Sequence, residues 1–170
     1  MLVRSAIQAP GQLPNLHLPV DSVASLEETL HRLIPISKHM GITVAGYTGT
    51  QLKLSAPLTE NINHQQSAFG GSLFSVAALA GWGLLQLKFT ELGLDCNTVI
   101  ATGEVSYRRP VYSDFECRCE LPGNWNEFID KLKANGRASL TLSPQIIVDR
   151  QPAMILDGKY VASKRQAESA

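Results

Sequence analysis

Charge is what the middle of this chain lacks: between Glu60 and Lys88 no side chain is formally charged. Over the whole chain 15 basic residues balance 15 acidic ones. A net charge of zero gives no electrostatic case for nucleic-acid binding. Cysteine is scarce as well. Cys96, Cys117 and Cys119 are an odd count, and the last two stand too close along one strand to join. Reduced thiols and a cytoplasmic location are expected rather than a disulfide framework. No apolar run precedes Pro10, Gly11 and Pro14, so no secretory leader is expected. Clusters with metal-ligand spacing, a phosphate loop and a dinucleotide fingerprint are all missing, and no metal is expected.

What is present suits one domain. The chain has 170 residues, 44% of them hydrophobic, enough for a sizeable core. Residues 1–20, with Pro10, Gly11, Pro14 and Pro19, are expected to form an extended arm. Residues 21–163 are expected to form the domain, and 164–170 a polar tail. Ser25 and Glu28 have capping-box spacing, which places the start of a first helix there. Leu26, Leu30, Leu33 and Ile34 make its apolar stripe. Pro35 ends or kinks it, and Gly41 marks the exit. Residues 42–57 predict two strands with a turn at 47–50. Residues 97–108 predict one strand, with Val99, Ala101, Gly103, Val105 and Tyr107 on one face. Phe115, Cys117, Cys119 and Leu121 alternate with Asp114, Glu116, Arg118 and Glu120, the pattern of a half-buried strand with its thiols inward. A short amphipathic helix is expected over 124–134, ended by Gly136. A strand through Ala138, Leu140 and Leu142 follows, then a pair over 145–150 and 153–161.

The uncharged stretch, 61–87, joins two unlike parts. A polar run reaches Gly70 and Gly71, and beyond them the chain is apolar on nearly every side. A helix of that kind either spans a membrane or lies buried inside a domain. Glycines, serines and Gln86 interrupt it, and no basic cluster precedes it to set an orientation. The β-rich remainder also needs something to cover its apolar face. No membrane span is therefore expected. The expected fold is α+β: an antiparallel sheet wrapped around one long central helix, with a further helix at the N-terminal side.

Residues along this frame resemble a known family. Asn63 followed by Phe69, Gly70 and Gly71 is similar to the hotdog thioesterase pattern, in which an Asn precedes a His-Gly-Gly that opens the central helix. Ile34-Pro-Ile-Ser37, Met40-Gly41, Ala56-Pro-Leu58, Asn61-Ile-Asn63, Ala68-Phe-Gly-Gly-Ser72, Ala80-Gly-Trp-Gly83 and the run from Tyr107 to Pro110 resemble one subgroup more closely. That subgroup is the thioesterase-like domain found at the C-terminus of some bacterial acetyltransferase fusions, which also occurs alone. The likeness spans residues 26–161. Acetyltransferase activity itself is not expected, because the residues before this region are too few for that domain. The resemblance implies a hotdog fold and an acyl-thioester substrate on coenzyme A or acyl carrier protein. Coenzyme A or phosphopantetheine would then be part of the substrate, with no separate cofactor. It also implies a homodimer or higher homo-oligomer, with active sites where protomers meet beside the start of the central helix. Part of the family is associated with decarboxylation of malonyl-acyl carrier protein in fatty acid metabolism. The remainder carries a thioesterase label.

The residues themselves suggest roles. A helix start presents unpaired N–H groups and partial positive charge. Gly70 and Gly71 let a thioester oxygen approach those groups, or else they only permit tight packing of the helix. Asn63 can donate to a carbonyl or position water but cannot act as a base; a turn or cap role is the alternative. Asn61 is a second candidate for the same task. His64 is the one titratable side chain of the run and can activate water; the alternative is a structural role, since the subgroup pattern does not demand it and a lone His is more often structural. Ser72 and Ser75 on the first turns can bond substrate. Arg108 can meet a phosphate or an acidic carrier surface, or can be an exposed edge residue. Two departures from the hotdog pattern matter. Phe69 replaces the usual His, and 77–80 holds no acid where many hotdog thioesterases carry one. Hydrolysis needs an activated water or a carboxylate nucleophile. Decarboxylation of a malonyl thioester needs only an enolate site and an apolar wall. A non-catalytic acyl-thioester binding dimer is the reading from another class.

Overall fold

A computed structural model describes residues 23–165; the expected arm over 1–20 lies outside them. Helix α1 (Val23–Leu33) buries Leu26 and Leu30 completely. It is already helical at Val23, so Ser25 stands inside it rather than capping it. Pro35 takes the first position of a short helix, α2 (Pro35–His39), where a missing N–H costs nothing. Gly41 then turns the chain with φ +64°.

Strands β1 (Thr43–Tyr47) and β2 (Gln51–Ala56) form the expected hairpin. A 3₁₀ turn over Thr59–Asn61 leads to the long helix α3 (Gly70–Glu91). Then come β3 (Cys96–Tyr107), β4 (Phe115–Glu120), α4 (Trp125–Asn135), β5 (Arg137–Leu142), β6 (Gln145–Val148) and β7 (Gln151–Lys164). The seven strands make one antiparallel sheet in the order β1-β2-β4-β6-β7-β3, with β5 also pairing with β7. Lys164 pairs with Cys96 as the last residue of β7, so the strand runs past the point where a tail was expected to begin.

Alternation along β2 and β4 sets the inner face of the sheet. Leu52 pairs with Cys119, Leu54 with Cys117 and Ala56 with Phe115, and all six are buried. Each fully buried leucine contributes roughly 1.5–3 kcal/mol of hydrophobic stabilisation. The cysteines are free thiols used as small apolar residues. Their burial pushes Cys119 up to about 12 and Cys117 in the same direction.

This face wraps α3, which packs on β2, β3, β4 and β7. By length and composition α3 is able to cross a membrane, and it is the one such helix among the described residues. Here the sheet and the flanking helices cover it. Ten of its residues, from Leu73 to Phe89, are buried. Its C-terminal end meets α4 through three rings: Phe89 lies 6.4 Å from Trp125 and 6.3 Å from Phe128.

One expectation fails in β3. Val99 pairs with Val161, and Ile100 with the buried Tyr160. The register then slips at Ala101, and Gly103, Val105 and Tyr107 face Gly158, Leu156 and Met154. A bulge shifts the side-chain period by one. Gly103, Val105 and Tyr107 therefore share the inner face with Ile100, while Val99 points outward. β3 ends the sheet, and its far edge is unpaired among the described residues.

Candidate functional site

The site is built where α3 begins. Phe69 occupies the N-cap position in an extended conformation, and no side chain caps the helix. Leu73 N–H makes the first helical bond, to the Phe69 carbonyl at 3.1 Å. The N–H groups of Gly70, Gly71 and Ser72 are left without a helical partner, as at any helix start. They carry the partial positive charge of a helix 22 residues long. Carbonyl and phosphate oxygens fit such a place.

The walls are aromatic and exposed. A Cβ on Gly71 would collide with the Phe69 ring, so that ring lies over the Gly71 backbone. A Cβ on Gly70 would lie 3.3 Å from the Tyr107 ring. The Tyr107 hydroxyl donates to the Gly70 carbonyl at 2.9 Å. Phe69 is 57% exposed and Tyr107 56%. Two glycines thus open the helix between two rings that a side chain at either position would displace.

The loop before the helix is tied rather than free. Phe69 N–H donates to the Asn61 carbonyl at 2.7 Å, and Ala68 N–H to Val111 at 2.8 Å. Asn63 Oδ1 accepts from Gln65 N–H at 2.8 Å and Ser67 N–H at 3.2 Å. Its Nδ2 donates to Ser67 Oγ at 3.1 Å. These bonds brace the loop in the manner of an Asx turn. Asn61 is buried at 2% exposure. Its Nδ2 donates to the Met40 and Pro57 carbonyls at 2.8 and 2.7 Å. That amide pins the loop to α2 and the end of β2.

The candidate residues therefore separate. Phe69, Gly70, Gly71 and Ser72 stand together at the helix start. Asn63 and Asn61 sit just before it, with their amide donors engaged in the fold. His64 is exposed on the loop tip. Ser75 donates its hydroxyl to the Gly71 carbonyl at 2.9 Å, so it serves the helix backbone. Arg108 follows Tyr107 at the end of β3, exposed, with its N–H bonded to Ala153 at 2.8 Å. Sequence reasoning placed Tyr107 in a motif but gave it no site role. The signal available was the strand's inward period, which brings its ring to the first turn. No group of three or more His, Cys, Asp or Glu that could hold a metal occurs among the described residues.

An antiparallel sheet wrapped around a long central helix is the hotdog fold, here with the helix opened by a glycine pair and no side-chain cap. The chain belongs to the family described as "Putative thioesterase (yiiD_Cterm)", which it matches over residues 23–164. A protein of unknown function from Chlorobaculum tepidum TLS is 34% identical, with 89% of this chain and 100% of that chain covered at a TM-score of 0.82. A structure described as a putative thioesterase from Shewanella oneidensis is 31% identical, with 84% and 97% covered at 0.78. A thioesterase from Haemophilus influenzae shares the fold at 12% identity, with 91% and 99% covered at 0.69.

Proposed function

We propose that this protein processes acyl thioesters of coenzyme A or acyl carrier protein, with the start of α3 as its oxyanion site. The observation that carries the reading is the uncapped Gly70-Gly71-Ser72 turn between the Phe69 and Tyr107 rings. Preorganised N–H donors aimed at a developing oxyanion are worth about 10²- to 10³-fold in rate each. In hydrolysis they would hold the tetrahedral oxygen while water adds to the carbonyl and the thiol leaves. His64 is the side chain of the loop able to take a proton from that water.

A second reading has its own support. Phe69 stands where the hotdog pattern has His, and its ring covers Gly71. An apolar wall beside an oxyanion site favours loss of a carboxylate. A malonyl thioester would release CO₂ as the bond to its methylene breaks. The electron pair would pass into an enolate held by the N–H groups, and a proton from water would complete an acetyl thioester. This route needs no general base.

The proposal includes a homodimer and a cytoplasmic location. β3 supports the first: it offers an unpaired edge along a strand of 12 residues, with Val99 and Ile100 exposed. Unpaired edges of that length are either protected or joined to another strand. Arg108 lies at the end of this edge, where a phosphate of the carrier could meet it.

One incubation separates the readings. The protein is mixed with malonyl-CoA, malonyl-acyl carrier protein or a saturated acyl-CoA, and free thiol and CO₂ are followed separately. Thiol release supports hydrolysis. CO₂ with an acetyl thioester retained supports decarboxylation. Binding without either product leaves a binding module and overturns the enzymatic reading.

A further inference from the structure

The Tyr107 hydroxyl makes an unusual choice. Its ring is 56% exposed, with water available, yet the hydroxyl donates inward to the Gly70 carbonyl at 2.9 Å across 37 residues of sequence. The Gly70 carbonyl belongs to the same planar peptide unit as the Gly71 N–H. A donor on the oxygen draws electron density toward it and leaves the N–H more positive, the ordinary cooperativity of linked hydrogen bonds. Ser75 repeats the arrangement one peptide further on. Its hydroxyl donates to the Gly71 carbonyl at 2.9 Å, whose peptide partner is the Ser72 N–H. Back-bonding of a helical serine is common by itself; the Tyr107 bond, reaching from β3, is not.

There is also a mechanical need. Glycine is about 1 kcal/mol worse than alanine in a helix, and this helix starts with two and has no side-chain cap. Such a turn would fray unless something held it. The bond from Phe69 N–H to the Asn61 carbonyl holds one side, and Tyr107 holds the other.

We propose that Tyr107 is a positioning residue for the oxyanion site. Its hydroxyl fixes and polarises the Gly70–Gly71 peptide, making the Gly71 N–H a stiffer and stronger donor to the thioester oxygen. Ser75 acts in the same way on the Ser72 N–H. This rests on the thioester reading above. About 10–30% of a donor worth about 10³-fold is roughly a two- to eightfold effect on rate.

The test uses the full chain with Tyr107→Phe, Ser75→Ala and both together. Two readouts are taken: the amide proton signals of Gly71 and Ser72 by ¹H–¹⁵N NMR without substrate, and kcat and KM with the best acyl thioester. In Tyr107→Phe the Gly71 amide proton signal should move upfield. Its kcat should fall about two- to eightfold with KM unchanged, and its melting temperature should fall by no more than about 5 °C. Ser75→Ala should move Ser72 instead, and the two losses should multiply. With an active wild type, an unmoved Gly71 signal or a change in KM alone overturns the role of Tyr107 and leaves the thioester reading intact. A wild type that turns over no thioester fails that reading. A Gly71 shift in Tyr107→Phe would then mark a helix brace only.

Discussion

Helix α3 carries one glycine pair at its start and another in its second half, and the space around the two pairs differs. Gly81 and Gly83 lie inside the core. A Cβ at Gly81 would collide with the Tyr160 hydroxyl, which donates to the Ala78 carbonyl at 3.0 Å. A Cβ at Gly83 would lie 2.9 Å from Leu52 and 3.3 Å from Leu26. These neighbours are fully buried and have nowhere to retreat. Gly70 and Gly71 face rings that are more than half exposed. Close packing explains the inner pair. It does not require the outer pair, because a solvent-facing ring can swing away from a new methyl group. In the proposed reading, the outer pair keeps the N–H groups open to a ligand oxygen.

Substitutions break this comparison most directly. Gly81→Ala should cost about 3 kcal/mol by overpacking, lowering the melting temperature by roughly 6–12 °C. Activity per folded molecule should be kept. Gly71→Ala should do the reverse: thermal unfolding within about 2 °C of wild type, and kcat/KM down about tenfold to a hundredfold as the displaced Phe69 ring and the new methyl crowd the donors. Adding Phe69→Ala to Gly71→Ala should restore part of the rate. If Gly71→Ala instead melts the protein, the outer pair is there for packing and the contrast collapses.

Alkaline pH probes the buried thiols of the core. Burial raises the Cys119 thiol from an ordinary value of 9.0 to about 12, and moves Cys117 the same way. The unfolded chain therefore loses these protons from about pH 9 while the folded chain keeps them. The stability they hold is complete below pH 9 and is lost as pH rises toward 12, at about 1.4 kcal/mol per pH unit for each thiol. Urea midpoints measured from pH 7 to 10.5 should be flat and then fall, and Cys119→Ala should soften the fall.

Asn63→Ala carries the smallest expected effect. Its amide braces the loop, so the loss should be about 1 kcal/mol of local stability and only a few-fold in kcat/KM. Complete loss of turnover at unchanged stability would place Asn63 on the substrate itself.

Much of the frame was legible because local patterns agreed with the global fold. Strict alternation from Asp114 to Leu121 located β4 and gave its two thiols a place. Gly136 marked where α4 stops. The misses were non-local. Nothing in residues 97–108 announces the bulge at Ala101, which only the pairing with β7 reveals. Ser25 had the chemistry of a cap, but the helix extends back past it. At the site, Gly70 and Gly71 stood out because a polar run ends on them where the apolar helix begins, and because they resemble the hotdog pattern. Asn61 could not be assigned, because its partners are the Met40 and Pro57 carbonyls, brought close by α2 and β2. The inward period of β3 pointed Tyr107 at the core, but nothing local joined it to Gly70, 37 positions away.

The central claim is that the first N–H groups of α3 receive a thioester oxygen. Its most direct measurement is the infrared carbonyl stretch of acetyl-CoA labelled with ¹³C at the thioester carbon, recorded free and bound at saturation. Donors on the oxygen weaken the C=O bond. The account predicts a lower stretching frequency in the bound state and a smaller drop with Gly71→Ala. A bound thioester with the frequency it has in an apolar solvent would contradict it.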